Sequence, residues 1–124
     1  MSDSRPVLQP SEDHPITITP TEAKVVVRIG DEVVAESTSA LTLQEANYPA
    51  VQYVPMTDVT GDLTGPTPTS TYCPYKGDAS YYSLATGDGE ITDAIWTYQD
   101  PYPAVAEIAG HVAFYPNKVT ISVG

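Results

Sequence analysis

The sequence predicts a mainly β domain built from antiparallel hairpins, with at most one or two short helical turns. Three observations support this prediction. Short runs of β-branched and aromatic residues recur along the chain, and several alternate between apolar and polar positions. Turn-forming residues separate these runs at short intervals. Twelve prolines are spread over the 124 residues, which leaves little room for a long helix.

The length of the chain fits one domain with one modest hydrophobic core. Residues 1–15 are polar, contain three prolines and show no alternation, so they predict a flexible N-terminal arm. Residues 16–124 are predicted to form the single β domain.

Four runs in the first half of the chain have the character of strands: residues 16–19, 24–29, 32–36 and 51–54. The second and third runs flank Gly30 and Asp31, which predicts a hairpin. Period-two alternation places Val25, Val27 and Ile29 on the face directed at the core.

Two segments in this half are less regular. Residues 41–46 are predicted to be either a strand or one helical turn, because a short apolar run fits both. Residues 56–71 contain two glycines, two prolines and many threonines, and they predict a loop that crosses the surface.

Four further strands are predicted in the second half: residues 79–85, 91–99, 111–115 and 119–123. The first two are joined by the turn signal at residues 86–89. This hairpin brings Tyr81 or Tyr82 beside Trp96 or Tyr98, and a one-residue shift in register would exchange the partners. Residues 104–109 are predicted to form one helical turn, which Gly110 ends.

The charge of the chain excludes two classes of partner. Sixteen acidic and five basic side chains give a net charge of −11, and such a surface repels nucleic-acid phosphates and anionic lipids. No apolar run approaches the ~20 residues of a membrane helix. The sequence favours a cytoplasmic location for two reasons. It has a single cysteine, and its first residues lack the pattern of a secretory signal.

One stretch, residues 72–82, concentrates groups that carry chemistry. It contains the only cysteine, Cys73, four of the nine tyrosines, and Lys76, the only basic side chain between Arg28 and Lys118. A thiol, an ammonium and several aromatic rings in one short run predict a site here.

Three separated motifs resemble the bacterial domain-of-unknown-function family 427. They are residues 72–81, residues 96–98 ahead of Asp100-Pro101, and residues 108–115. The resemblance extends over residues 24–120 and implies a β-tent-like fold, in which two antiparallel sheets lean together over a pocket. Related tents hold zinc through paired Cys-x-x-Cys motifs, which one cysteine cannot supply. Where the family often has a basic residue after Pro55, this chain has Met56, so any contribution of that residue to anion binding is lost.

An older label of that family implies a nucleotidyltransferase, and the motifs of this sequence do not support it. Nucleotidyl transfer needs carboxylates that hold metal ions and, commonly, a glycine-rich phosphate loop. The sequence has no closely spaced Asp-x-Asp pair and no Walker-type loop. Whether the protein is an enzyme stays open.

The candidate ligand-binding residues are Lys76, Tyr75, Tyr81, Trp96 and Tyr98. The aromatic side chains would form the walls of a pocket, and Lys76 would hold an anionic group of a small metabolite. The alternatives are that the rings are plain core and that Lys76 forms a structural salt bridge. Its possible partners would then be Asp78, Asp93 or Asp100.

Cys73 is the candidate catalytic residue. Lys76 would favour its thiolate, and His111 would act as a base if the fold brings it near. The alternative is a small buried apolar side chain, which is the common role of free cysteine. His14 lies in the arm and is predicted to be exposed. The sequence contains no cluster typical of a metal site, so we expect no metal and no cofactor.

The sequence thus leaves three hypotheses for function. The first is a small-molecule-binding domain with an aromatic pocket and one lysine that holds an anion. The second is a thiol-dependent enzyme that uses Cys73, and the third is a structural or interaction module. We expect a monomer or a homodimer.

Overall fold

A computed structural model describes residues 6–87 and 89–124. The first five residues of the predicted arm and Asp88, which belongs to the predicted turn 86–89, lie outside the described residues.

The described residues form eleven strands and two short 3-10 turns. The strands are β1 (Ile16–Pro20), β2 (Val25–Ile29), β3 (Glu32–Ser37), β4 (Leu41–Glu45), β5 (Val51–Pro55), β6 (Asp62–Thr64), β7 (Ser70–Cys73), β8 (Gly77–Thr86), β9 (Gly89–Thr97), β10 (His111–Phe114) and β11 (Thr120–Val123). The 3-10 turns are Met56–Asp58 and Pro103–Ile108. The predicted mainly β class with short helical turns is confirmed.

The strands form two antiparallel sheets. The larger sheet has the order β1-β4-β5-β10-β9-β8-β6, and β7 also pairs with β8. The smaller sheet has the order β11-β2-β3. Its β2–β3 hairpin is the predicted one, and Val25 and Val27 are fully buried, as their alternation predicts.

The large sheet changes direction at β10, which is only four residues long. Its first two residues pair with β5, and its last two, Ala113 and Phe114, pair with β9. Each half of β10 has a different partner, and side chains of the β1-β4-β5 part meet those of the β9-β8 part, as the rings of Tyr53 and Trp96 do with centroids 6.5 Å apart. A wedge between the two parts results, and the candidate site lies in this wedge.

Two apolar clusters fill the interior. The first lies between the small sheet and the large sheet and contains Val25, Val27, Val34, Ala35, Ala40, Val54, Leu84, Ala94, Ile95, Val112, Phe114 and Val119. The second lies in the wedge and contains Leu43, Tyr53, Ala79, Tyr81, Tyr98, Val105, Ile108 and Ala113. Full burial of one such side chain contributes about 1.5–3 kcal/mol. Tyrosines in the second cluster bring polar hydroxyls inside the domain.

The prediction of a loop over residues 56–71 is wrong in part. This segment contains the first 3-10 turn, all of β6 and the start of β7. The reason is the length of β8, whose ten residues present a long edge that needs partners. β6 pairs with one end of β8 and β7 with the other. Pro66 and Pro68 fall between these two strands, where no ladder hydrogen bond is required.

Of the two structures predicted for residues 41–46, a strand or one helical turn, the strand is present, over residues 41–45. The β8–β9 register is decided as well, because Tyr81 pairs with Trp96 and Tyr82 with Ile95.

Residues 6–15 of the predicted arm contact the domain. The backbone of Leu8 donates to the carbonyl of Pro74 at 3.0 Å, and the hydroxyl of Tyr72 donates to the carbonyl of Pro6 at 2.7 Å.

Candidate functional site

Lys76 lies in the tight turn that joins β7 to β8. Cys73 pairs with Gly77, and the backbone of Lys76 donates to the carbonyl of Cys73 at 3.2 Å. Gly77 has a φ of 108°, which a side chain would disfavour, so glycine lets the chain reverse here. The turn directs the Lys76 side chain inward, and the residue is only 8% exposed.

The ionic partner of Lys76 is Glu45, at the end of β4, and not one of the three aspartates suggested by the sequence. The ammonium bonds Oε1 of Glu45, and Nε2 of His14 donates to Oε2 at 2.7 Å. Of the three aspartates, Asp93 accepts hydrogen bonds from the hydroxyls of Thr67 and Thr69.

Burial raises the pKa of Glu45, but the hydrogen bonds from Lys76 and His14 outweigh this effect and hold its pKa below the ordinary value. The carboxylate is therefore ionised at neutral pH, beside an ammonium. Glu45 is not among the site residues predicted from the sequence, although its spacing on β4 indicated that it points into the wedge. Leu41, Leu43 and Glu45 share one face of β4 by period-two spacing, so an acidic side chain follows two apolar ones into the wedge.

His14 is half-buried, so the prediction that it is exposed is wrong. Its ring stacks on Tyr75 with centroids 4.2 Å apart and an interplanar angle of 5°. Contact with Glu45 and Tyr75 anchors this part of the arm over the β7–β8 turn. Tyr75, predicted to bind ligand, thus packs on His14 and lies outside the lining of the cavity described next.

A cavity of about 200 Å³ occupies the wedge. Its lining consists of Leu43, Glu45, Tyr48, Pro49, Val51, Tyr53, Lys76, Tyr81, Trp96, Tyr98 and Tyr115. Four of the predicted ligand-binding residues, Lys76, Tyr81, Trp96 and Tyr98, are therefore brought together here. Tyr53 and Tyr115 complete the aromatic wall, and no local pattern around either residue predicts that it would join the wall.

The rings of the wall contact one another. The Trp96 and Tyr115 centroids are 4.5 Å apart at an angle of 49°, and Tyr53 meets Trp96 edge-on at 6.5 Å. The Tyr115 hydroxyl donates to the Tyr81 hydroxyl at 3.2 Å. These contacts fix the orientations of the rings.

Tyr98 differs from the other wall tyrosines. It is 8% exposed, and among the residues that the structure describes none hydrogen-bonds its hydroxyl. Burial, followed by the negative potential of Tyr53, Cys73, Tyr81 and Glu45, raises its pKa above the ordinary value. The hydroxyl therefore stays protonated and keeps both a donor and an acceptor for a ligand.

Burial likewise raises the pKa of Tyr53 to about 12, although the hydrogen bond from Trp96 opposes the shift. Burial and the hydrogen bond with Tyr81 raise the pKa of Tyr115. At neutral pH, therefore, Glu45 and Lys76 are the only ionised side chains in the lining of the cavity.

Cys73 lies beside this cavity and not in its lining. Its sulfur is 3.8 Å from Nζ of Lys76, and its side chain packs half-buried against the second apolar cluster. His111, the suggested base, is also outside the lining, and its Nδ1 donates to the carbonyl of Ala109 at 2.9 Å. The suggested contact of Cys73 with Lys76 is therefore present. His111, the suggested base, instead bonds the backbone of the turn that precedes it.

An apolar groove of about 460 Å³ adjoins the cavity. Its lining is Tyr48, Pro49, Ala50, Val51, Gln52, Trp96, Phe114, Pro116, Ile121 and Val123, which includes no charged residue. Trp96 lines both spaces. Within residues 6–87 and 89–124, no three His, Cys, Asp or Glu side chains are grouped as metal ligands would be. No helix in the described part of the chain has the length and apolar character needed to cross a bilayer.

Comparison with known proteins places the chain in a family. No curated protein is detectably similar to it in sequence. Residues 17–124 match the model of a family described as Domain of unknown function (DUF427). This range includes both sheets except for Ile16, the first residue of β1, and it includes every residue that lines the cavity. Since the match extends over nearly the whole chain, the protein belongs to the DUF427 family.

Proposed function

We propose that this domain binds a small molecule in the aromatic cavity between the two parts of the large sheet. The observation that carries the proposal is the composition of the cavity lining, in which an aromatic wall meets the Lys76–Glu45 pair and the hydroxyl of Tyr98. No described side-chain hydrogen bond engages this hydroxyl, and no buried side-chain N or O atom among the described residues lacks a partner, so the hydroxyl is accessible from the cavity. A ligand in the cavity can therefore both donate to it and accept from it.

Lys76 supports the same proposal. An ammonium has three N–H donors, of which one bonds Glu45 and one faces the sulfur of Cys73. The third is available to a ligand in the cavity. Replacing a buried ion pair by apolar side chains is often neutral or stabilising, so folding alone gives little reason to place this pair here.

Trp96 makes the test simple, because it is the only tryptophan in the chain and lines the cavity. A metabolite library would be screened by intrinsic fluorescence and thermal shift on the wild type, Tyr98→Phe and Lys76→Met. Lys24→Met is the matched control, because Lys24 is an exposed lysine with an acidic partner, Glu36, outside the cavity.

We expect to find ligands that raise the melting temperature of the wild type and of the Lys24→Met control equally. The same ligands should bind Tyr98→Phe and Lys76→Met at least about ten-fold more weakly, which corresponds to the loss of one hydrogen bond worth about 1.4 kcal/mol. The proposal is rejected if no compound binds, or if all hits bind the cavity variants as well as the wild type. If cavity variants change only stability, the domain is a structural or interaction module.

The second candidate is a thiol-dependent reaction at Cys73, favoured by the 3.8 Å contact with Lys76. Reactive cysteines commonly lie beside cationic side chains. The rate of iodoacetamide labelling would be followed against pH in the wild type, Lys76→Met and Lys24→Met. The thiol proposal requires that only Lys76→Met slow the labelling near neutral pH. Identical profiles for the three proteins would reject it.

We also propose that the domain acts in the cytoplasm. Its single cysteine is a free thiol, which a reducing compartment preserves. Cell fractionation followed by immunoblotting checks this, and recovery of the protein outside the cytoplasmic fraction would contradict it.

A further inference from the structure

Building on the proposed binding function, we propose that the ligand is a net-neutral ring that carries a hydrogen-bond donor beside an acceptor. Vicinal hydroxyls on a cyclic polyol and the N–H and C=O of a cyclic amide both have this chemistry. The sequence alone predicts an anionic metabolite held by Lys76. We replace that prediction because Glu45 pairs with Lys76 and cancels its charge.

The charges of the cavity cancel. Lys76 and Glu45 are the ionised groups of the lining, their side chains are 10% and 17% exposed, and they are in direct contact. A ligand anion placed against Lys76 would also face the carboxylate of Glu45. The rest of the molecule adds a net charge of −11, which disfavours the approach of anions further.

The pair also presents a donor next to an acceptor. Lys76 retains one N–H, and each oxygen of Glu45 accepts one described hydrogen bond where it has room for two. Tyr98 adds a hydroxyl that both donates and accepts. A phosphate offers only acceptors to this set and an ammonium only donors, whereas a diol or a cyclic amide satisfies both partners.

The walls of the cavity select a ring. Trp96 and Tyr115 lie at 49° with centroids 4.5 Å apart, and they form an aromatic corner on which a flat or saturated ring can pack. An apolar cavity of about 150 Å³ holds one benzene. The 200 Å³ available here therefore accommodates one ring with a few polar substituents.

Matched pairs of probes test the inference, with binding followed by Trp96 fluorescence. The polyol arm compares myo-inositol with inositol 1-phosphate and glucose with glucose 6-phosphate. The amide arm compares uracil with its carboxylate, orotate. In the wild type we expect the neutral member of at least one pair to bind ten-fold or more tightly than its anionic partner, and the arm that responds identifies the source of the chemistry.

Glu45→Gln removes the negative charge and keeps the shape, so it should move this preference at least ten-fold toward the anion. Lys76→Met leaves Glu45 unopposed and should move the preference the other way. Glu36→Gln, at an exposed carboxylate paired with Lys24, is the control and should leave the ranking unchanged. Circular dichroism establishes that each variant is folded before its binding is compared.

The inference is overturned if the wild type binds the anions as tightly as the neutral rings, or if Glu45→Gln and Lys76→Met leave the preference unchanged. It is also overturned if none of these probes binds while other library compounds bind in a Tyr98-dependent way, and the proposed binding function then survives. If no compound of any class binds, both proposals fail.

Discussion

The indole nitrogen of Trp96 donates a hydrogen bond to the hydroxyl of Tyr53 across 3.3 Å, joining residues 43 positions apart in the chain. Trp96 belongs to β9 and Tyr53 to β5, the strands on either side of β10. The bond therefore ties the two leaning parts of the large sheet together at the wall of the cavity.

Removing the Tyr53 hydroxyl should destabilise the domain, whereas removing the Tyr98 hydroxyl should not. Tyr53→Phe leaves the indole N–H without its acceptor, and we expect a loss of about 1 kcal/mol or more. Tyr98→Phe removes a hydroxyl without a described partner, so stability should be unchanged or slightly higher. Urea denaturation measures both, and an equal loss for the two variants would contradict this assignment.

The ion pair in the cavity should be coupled more strongly than one on the surface. A double-mutant cycle on Lys76→Met and Glu45→Gln should give a coupling energy of about 1–3 kcal/mol, because both side chains are mostly buried. The exposed pair Lys24–Glu36, at 2.9 Å, should give about 0.2–1 kcal/mol in the same cycle. Chemical denaturation of the seven proteins, which are the wild type and three variants for each pair, provides both values, and equal coupling would show that burial does not strengthen the cavity pair.

Glu45 should make stability depend on pH in the acid range. Its pKa in the folded protein is below the ordinary value of 4.5, so ionisation favours the folded state. This contribution is fully present above about pH 4.5 and is lost as pH falls through the lowered pKa. The stability difference between the wild type and Glu45→Gln, measured by urea denaturation from pH 7 to 3, should therefore shrink below pH 4.5. A constant difference would contradict the ionised state assigned to Glu45.

Gly61 should tolerate no side chain, because it lies against the core. A Cβ atom added there would be 3.0 Å from Cβ of Val34 and 3.3 Å from Cδ2 of Leu84. Gly61→Ala should cost about 1–3 kcal/mol by overpacking. Gly87→Ala is the matched control, since no atom lies within 4 Å of its added Cβ, and it should change stability by less than about 1 kcal/mol. Thermal melts that shift equally for the two variants would contradict the close packing at Gly61.

Sequence patterns located most of the strands, since alternation and turn residues act over a few neighbouring positions. The apolar spacing of residues 41–45 is compatible with either a strand or a helical turn. Pairing with β1 and β5 makes this segment a strand. β6 and β7 were missed for a related reason. They are only three and four residues long, which is too short for an alternating pattern, and they are strands because the edge of β8 supplies hydrogen-bond partners.

By itself, the sequence determined a mainly β chain and placed Lys76 within an aromatic stretch, because both follow from residue types and their spacing. Only the tertiary structure decided that Glu45, 31 residues away, would neutralise Lys76, and that Tyr53 and Tyr115 would close the wall around Trp96. The physical reason is the change of partner at β10, after which side chains from both parts of the large sheet line one cavity. Contacts across that wedge depend on how distant strands pack, and no local pattern encodes them.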